Sequence, residues 1–219
     1  MNSRIHSLVA DEPAVSAVRR ANCFDWCVGS RSAPGEAICG DLPVVVTWDG
    51  GALVGVIDGL GHGVEAARAA ERAALLLHAE ARRPLNELVQ ECHRAIRDTR
   101  GVVMTLISFH EGEGTATALG VGNVEALIFR SAADPGRRRE SILLRGGVVG
   151  YQLPALPVAE LTFSEGDRLV LATDGVRPDF GEFISCAEPL PQMVERILAR
   201  CYRGSDDGLV LACCYKGPA

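Results

Sequence analysis

The segment Asp58-Gly59-Leu60-Gly61-His62-Gly63 follows the apolar run 52–57 and leads into an alanine-rich stretch that starts at Val64. A carboxylate at the end of a buried strand is costly unless a cation pairs with it. The glycines beside it let backbone carbonyls approach that cation. Gly40-Asp41, Thr173-Asp174-Gly175 and Asp206-Asp207 repeat the theme, and Asp58, Asp174 and Asp206 each stand at an end of an apolar run. Where such ends converge on one edge of packed sheets, the carboxylates repel one another and hold their protons more tightly. Hard divalent cations, Mg²⁺ or Mn²⁺, relieve that repulsion because they prefer carboxylate, carbonyl and water oxygens. Two of them about 3.5–4 Å apart activate a shared water and orient a phosphoryl group for in-line attack. That is hydrolysis without a protein nucleophile, and no nucleophile stands in a convincing context here. Each pair taken singly is equally a turn, since Asp-Gly and Gly-Asp are common turn chemistry. The ordered set carries the inference.

The elements that position these residues follow from periodicity. Residues 22–30 have strand character, and 32–37 form a loop that delivers Asp41. Runs 44–48 and 52–57 around Asp49-Gly50-Gly51 predict a hairpin. Residues 64–83 predict a long helix; Pro84 stops it and opens a second helix over 85–97, with Leu85, Leu88, Val89, Cys92 and Ile96 on one side. Strands follow at 102–109, 115–121 and 124–130, with weaker signals at 141–145 and 161–163, then a strand at 168–172. A last helix over 189–202 precedes a strand at 209–215. Hairpins dominate and no βαβ alternation appears, so the expected class is α+β, an antiparallel sandwich. No linker or repeat divides the chain, and residues 1–219 are expected to form one domain.

Composition agrees with an enzyme-like globular chain: 219 residues, 47% hydrophobic, 23% charged, with a net charge of −6. An acidic surface argues against nucleic acid and anionic membranes as partners. The basic triplet Arg137-Arg138-Arg139, beside Asp134-Pro135-Gly136, reads as a solvated hairpin loop. No apolar run reaches the ~20 residues of a membrane span, and residues 1–10 lack the apolar core of a secretory signal, so a cytoplasmic location is expected. The eight cysteines contain no Cys-x-x-Cys pair. They are expected to be small buried side chains rather than disulfides or zinc ligands.

The segments Pro34-Gly35-Glu36-Ala37-Ile38-Cys39-Gly40-Asp41, Asp58–Gly63, Gly120-Val121-Gly122-Asn123, Ala172-Thr173-Asp174-Gly175 and Ser205-Asp206-Asp207 resemble, in order, the motifs of the PPM (protein phosphatase 2C-like) metal-dependent serine/threonine phosphatases. Within that family they are most similar to the small bacterial SpoIIE-type branch and its stand-alone stressosome phosphatases of the RsbX type. The likeness spans roughly residues 22–215. It implies two antiparallel β-sheets flanked by helices, an αββα sandwich. It implies two Mn²⁺ or Mg²⁺ ions, with Asp58 bridging both and the Gly59 carbonyl completing the first site. Asp41 would contact the first metal or its water, and Asp174 and Asp206 would bind the second. Asp206 rather than Asp207 aligns with the family ligand, and Asp207 takes the place of the family's usual asparagine. Asn123 is expected to shape its loop. The implied substrate is a phosphoserine or phosphothreonine of a protein partner, a STAS-domain regulator or stressosome scaffold. The alternative is a non-catalytic interaction module on the same fold.

Several positions depart from the pattern. Cys39 stands where serine or glycine is usual, and Leu209 replaces a frequent threonine. His62 is offset from the histidine proposed as general acid in the eukaryotic branch, so it is either structural, near the helix start, or catalytic. Arg31 is the candidate phosphate-binding arginine because it precedes the Asp41 motif. The chain has little room for the flap of larger relatives, which predicts an open metal edge.

Overall fold

Phe109 lies at the centre of an aromatic cluster, with ring centroids 5.2 Å from Phe24, 5.0 Å from Phe163 and 6.5 Å from a nearly parallel Tyr215. These contacts come from a computed structural model, which describes residues 14–20, 23–110, 114–131 and 139–217. The strands in chain order are β1 (Ala14–Val15), β2 (Arg19–Arg20), β3 (Phe24–Arg31), β4 (Asp41–Trp48) and β5 (Gly51–Gly59). Helices α1 (Val64–Ala79) and α2 (Leu85–Ala95) follow. Next come β6 (Val102–His110), β7 (Thr115–Val121), β8 (Glu125–Phe129), β9 (Arg139–Ser141), β10 (Leu144–Arg145), β11 (Ala159–Thr162) and β12 (Arg168–Ala172), and then α3 (Leu190–Cys201) and β13 (Gly208–Tyr215).

Two sheets face each other across the aromatic cluster. One runs β1-β3-β13-β12-β8-β9 with β2 also on β3, and the other runs β10-β7-β6-β5-β4 with β11 also on β7. Every pairing is antiparallel except β10 with β7. α1 and α2 cover the outer face of the second sheet, and α3 covers the outer face of the first. This is the αββα sandwich that the motifs imply. It explains why β5, β6 and β13 are apolar without alternation: each is buried on both faces.

The differences from the predicted elements have local causes. α1 ends at Ala79, short of residue 83: Glu80 N–H makes the last bond, to the Leu76 carbonyl, and Arg83 N–H closes a separate turn on the Glu80 carbonyl at 3.0 Å ahead of Pro84. β4 extends back through Pro43 to Asp41, which a sheet edge permits because a proline there leaves no ladder bond unmade. The single strand predicted at 141–145 is divided between the sheets. β9 ends at Ser141, buried Ile142 enters the inter-sheet core, and β10 joins the opposite sheet. The hairpin loop expected around Asp134 to Arg138, the start of the first strand at Asn22 and the N-terminal residues 1–10 lie outside the described residues. Six cysteines are buried, Cys39 is half-buried and Cys186 exposed, with no disulfide among them.

Replacing Phe109 with Ala should lower the unfolding free energy by about 3–5 kcal/mol in urea titrations, because it empties the centre of the inter-sheet core. Replacing Tyr151, 81% exposed, should change it by less than about 0.5 kcal/mol.

Candidate metal centre

β4 and β5 pair in a register that sets Asp41 opposite Asp58. Asp58 is the only residue of β5 that is not fully buried, and Asp41 is 4% exposed. Beyond Asp58 the chain turns sharply into α1. Gly59 passes so close to that helix that a Cβ would lie 2.2 Å from the Ala66 carbonyl oxygen, so only glycine fits there. Leu60 N–H is held by the Gly101 carbonyl at 3.2 Å.

The other sheet supplies the remaining carboxylates. Thr173, just past β12, donates its hydroxyl to Asp41 Oδ2 at 2.7 Å and accepts the Leu209 N–H at 2.9 Å. This bond crosses from one sheet to the other. Asp174 follows and accepts Asn123 Nδ2–H at 2.8 Å, a contact beyond the loop-shaping role expected of Asn123. Asp206 precedes β13 and accepts the Asp207 N–H at 2.8 Å. Asp58, Asp174 and Asp206 line one cavity of about 450 Å³, with Leu60, Gly61, Val103, Asn123 and residues 146–148 completing its wall. Asp41 is not part of this lining.

The electrostatics follow from that crowding. Burial, reinforced by the charge of Asp58, holds the Asp41 carboxyl well above the usual carboxylate range, against the Thr173 hydrogen bond. Asp58 is pushed up to about 8, first by burial and then by Asp174, Asp206 and Asp207. Asp207 is raised by burial, opposed by the Gly40 and Ala33 N–H groups that it accepts. Among the described residues no ion pair reaches any of these five aspartates.

The donor set fits hard divalent cations: it is all oxygen, and in two of its members, Asp41 and Asp58, burial and neighbouring carboxylates oppose ionisation until positive charge arrives. Among the described residues no three His, Cys, Asp or Glu side chains are gathered tightly enough to enclose one ion. Such enclosure is not required of Mg²⁺, which keeps several waters and takes one or two carboxylates.

Other expected positions are resolved as follows. His62 Nδ1 lies 2.7 Å from Glu36 Oε1 on the exposed surface, so the eye-catching histidine is paired with the lead-in loop. Arg31 stacks its guanidinium 5.4 Å above the Tyr202 ring. Gly146, Gly147 and Val148 form part of the cavity wall where the chain leaves β10. Sequence reasoning misses that wall, and also the Thr173 hydroxyl bridge and Glu36 as the partner of His62. The only signals for them are a Gly-Gly pair, a threonine before Asp174 and an acid in the lead-in.

Several comparisons bear on this arrangement. The family described as Stage II sporulation protein E (SpoIIE) matches residues 49–215, more than half of the chain. A solved structure described under the bacterial stressosome, as a modular system adapted to control secondary messenger signalling, is 29% identical, with 87% of this chain and 98% of that one covered at a TM-score of 0.79. RsbX in complex with magnesium is 18% identical, covers 91% of this chain and 99% of its own, and has a TM-score of 0.81. The catalytic domain of the serine/threonine protein phosphatase PstP with two manganese ions is 17% identical, covers 89% and 99%, and has a TM-score of 0.66. No protein of curated function matches the sequence.

In the unfolded chain these carboxyls ionise near 3.8, whereas the folded protein keeps protons on Asp41, Asp58 and Asp207 to higher pH. The folded state therefore binds more protons, and stability falls as pH rises through that window. His78 and His93, both shifted down, act in the opposite sense only below their unfolded value of 6.5. Between about pH 6.5 and 8, the melting temperature of EDTA-treated protein should fall with rising pH. Asp58→Asn should flatten that slope, and a slope equal to wild type in the variant would contradict the assignment.

Proposed function

The chain belongs to the SpoIIE family of PPM (protein phosphatase 2C-like) phosphatases, and from that membership we propose that it is a metal-dependent phosphatase acting on phosphoserine or phosphothreonine in a bacterial signalling protein. One observation carries the proposal: Asp58, from one sheet, and Asp174 and Asp206, from the other, line a single cavity where the sheets meet. Asp58, Asp41 and the Gly59 carbonyl would hold one Mn²⁺ or Mg²⁺, with Asp58 shared, and Asp174 and Asp206 would hold the second. Bound there, two such ions supply Lewis acidity toward the phosphoryl oxygens and a water acidic enough to attack at neutral pH.

The protein's own part is positional. Asn123 fixes the Asp174 carboxyl, and Thr173 fixes that of Asp41. The short connection from Thr173 to Asp174 couples the two halves of the site. Likeness to the stressosome module and to RsbX supports a partner of that kind, a STAS-domain regulator or stressosome scaffold, acted on in the cytoplasm. No helix among the described residues is long and apolar enough to cross a membrane. We treat residues 1–219 as one phosphatase domain. The second reading is a non-catalytic interaction module on the same fold.

Phosphate release from phosphorylated STAS and scaffold proteins, measured with and without Mn²⁺, separates the two readings. The proposal predicts Mn²⁺-dependent release that drops at least about 100-fold in Asp58→Asn, as expected on removing a metal ligand. Equal rates in the variant would remove the mechanism, and no release from any phosphoprotein would favour the interaction module.

A further inference from the structure

Asp207 is buried, with 3% of its surface exposed, yet it lines no part of the cavity. Its two carboxylate oxygens are used separately. Oδ1 accepts the Ala33 N–H at 2.7 Å and Oδ2 accepts the Gly40 N–H at 2.7 Å. Ala33 lies just beyond the end of β3, and Gly40 immediately precedes Asp41, so this one side chain ties together both ends of the 32–40 loop. Its backbone is engaged as well. Asp207 N–H donates to Asp206 Oδ1 at 2.8 Å, and its carbonyl oxygen sits only 1.8 Å from where a Cβ on Gly175 would be. Asp207 thus touches the segments that carry Asp41, Asp174 and Asp206 at once.

We infer that Asp207 is the positioning residue of the site: a two-oxygen bracket whose carboxylate chemistry, rather than its shape, sets the loop that presents Asp41. The inference rests on the phosphatase reading for its effect on rate, although not for the bracket itself. An asparagine has one acceptor oxygen and one NH₂ group. Placed here in either orientation, it aims that NH₂ at a backbone N–H and leaves a buried donor unpaired. The bracket therefore needs aspartate at this position. The same loop carries Glu36, so the bracket also holds the Glu36–His62 pair in place.

The test compares wild type with Asp207→Asn and Asp206→Asn through three readouts: amide hydrogen exchange at Ala33 and Gly40, Mn²⁺ affinity by calorimetry, and kcat against KM on a phosphoprotein. Asp207→Asn should speed exchange at both amides. It should also weaken Mn²⁺ affinity or lower kcat by about 10–100-fold, the usual cost of losing a group that orients a metal ligand. KM should change little. Asp206→Asn should weaken Mn²⁺ binding with no change in exchange at Ala33 and Gly40. If Asp207→Asn does not fold, Gly40→Ala probes the same bracket, because its methyl would stand 3.1 Å from Asp207 Oδ2 and 2.8 Å from the Ala66 Cβ. Unchanged amide exchange in Asp207→Asn overturns the bracket, and faster exchange with unchanged metal affinity and kcat overturns its positioning role. A wild type that releases no phosphate, together with faster exchange in the variant, would end the phosphatase reading and leave the bracket standing.

Discussion

Asp41 and Asp58 face each other on adjacent strands, no ion pair among the described residues reaches either, and the edge of the sandwich is built around that repulsion. Two like charges directly opposite in a sheet are destabilising, and burial makes each more costly to ionise. The fold tolerates the arrangement by withholding ionisation. Asp58 is raised to about 8, so near neutral pH it holds a proton where a surface aspartate would carry charge. A site in that state favours any ligand that brings concentrated positive charge.

The surrounding bonds prevent a cheaper escape, in which the carboxylates would swing apart into solvent. The hydroxyl of Thr173 holds Asp41 across the gap between sheets, Asn123 holds Asp174, and both oxygens of Asp207 are engaged by the loop ahead of Asp41. Each restraint is made by a group that is not itself a proposed metal ligand. Removing one would let the repulsion relax instead of being met by a metal, so the polar neighbours matter nearly as much as the aspartates.

Much of this was legible in the sequence because the relevant signals are local. Asp58 after an unbroken apolar run, followed by glycines and a helix, specifies a strand end that meets a helix start, and Gly59 against Ala66 shows why glycine stands there. The antiparallel class followed from hairpin spacing. What escaped is non-local. No periodicity shows that Ile142 carries the chain from one sheet to the other, that residues 146–148 return to wall the cavity, or that Glu36 reaches His62. Asp207 is the clearest case: beside Asp206 it reads as a second candidate ligand, and only its two N–H donors, 167 and 174 residues away in the chain, reveal the other role.

The central claim is that protons held by crowded carboxylates give way to divalent metal. Metal binding to protonated ligands must release protons, which calorimetry reads as a dependence of the apparent binding heat on the ionisation enthalpy of the buffer. Titrating Mn²⁺ into the metal-free protein at pH 7 in two such buffers should show net proton release, and that release should fade toward pH 9 as Asp58 loses its proton beforehand. Mn²⁺ binding with the same heat in both buffers at pH 7, or no binding at all, would contradict the account.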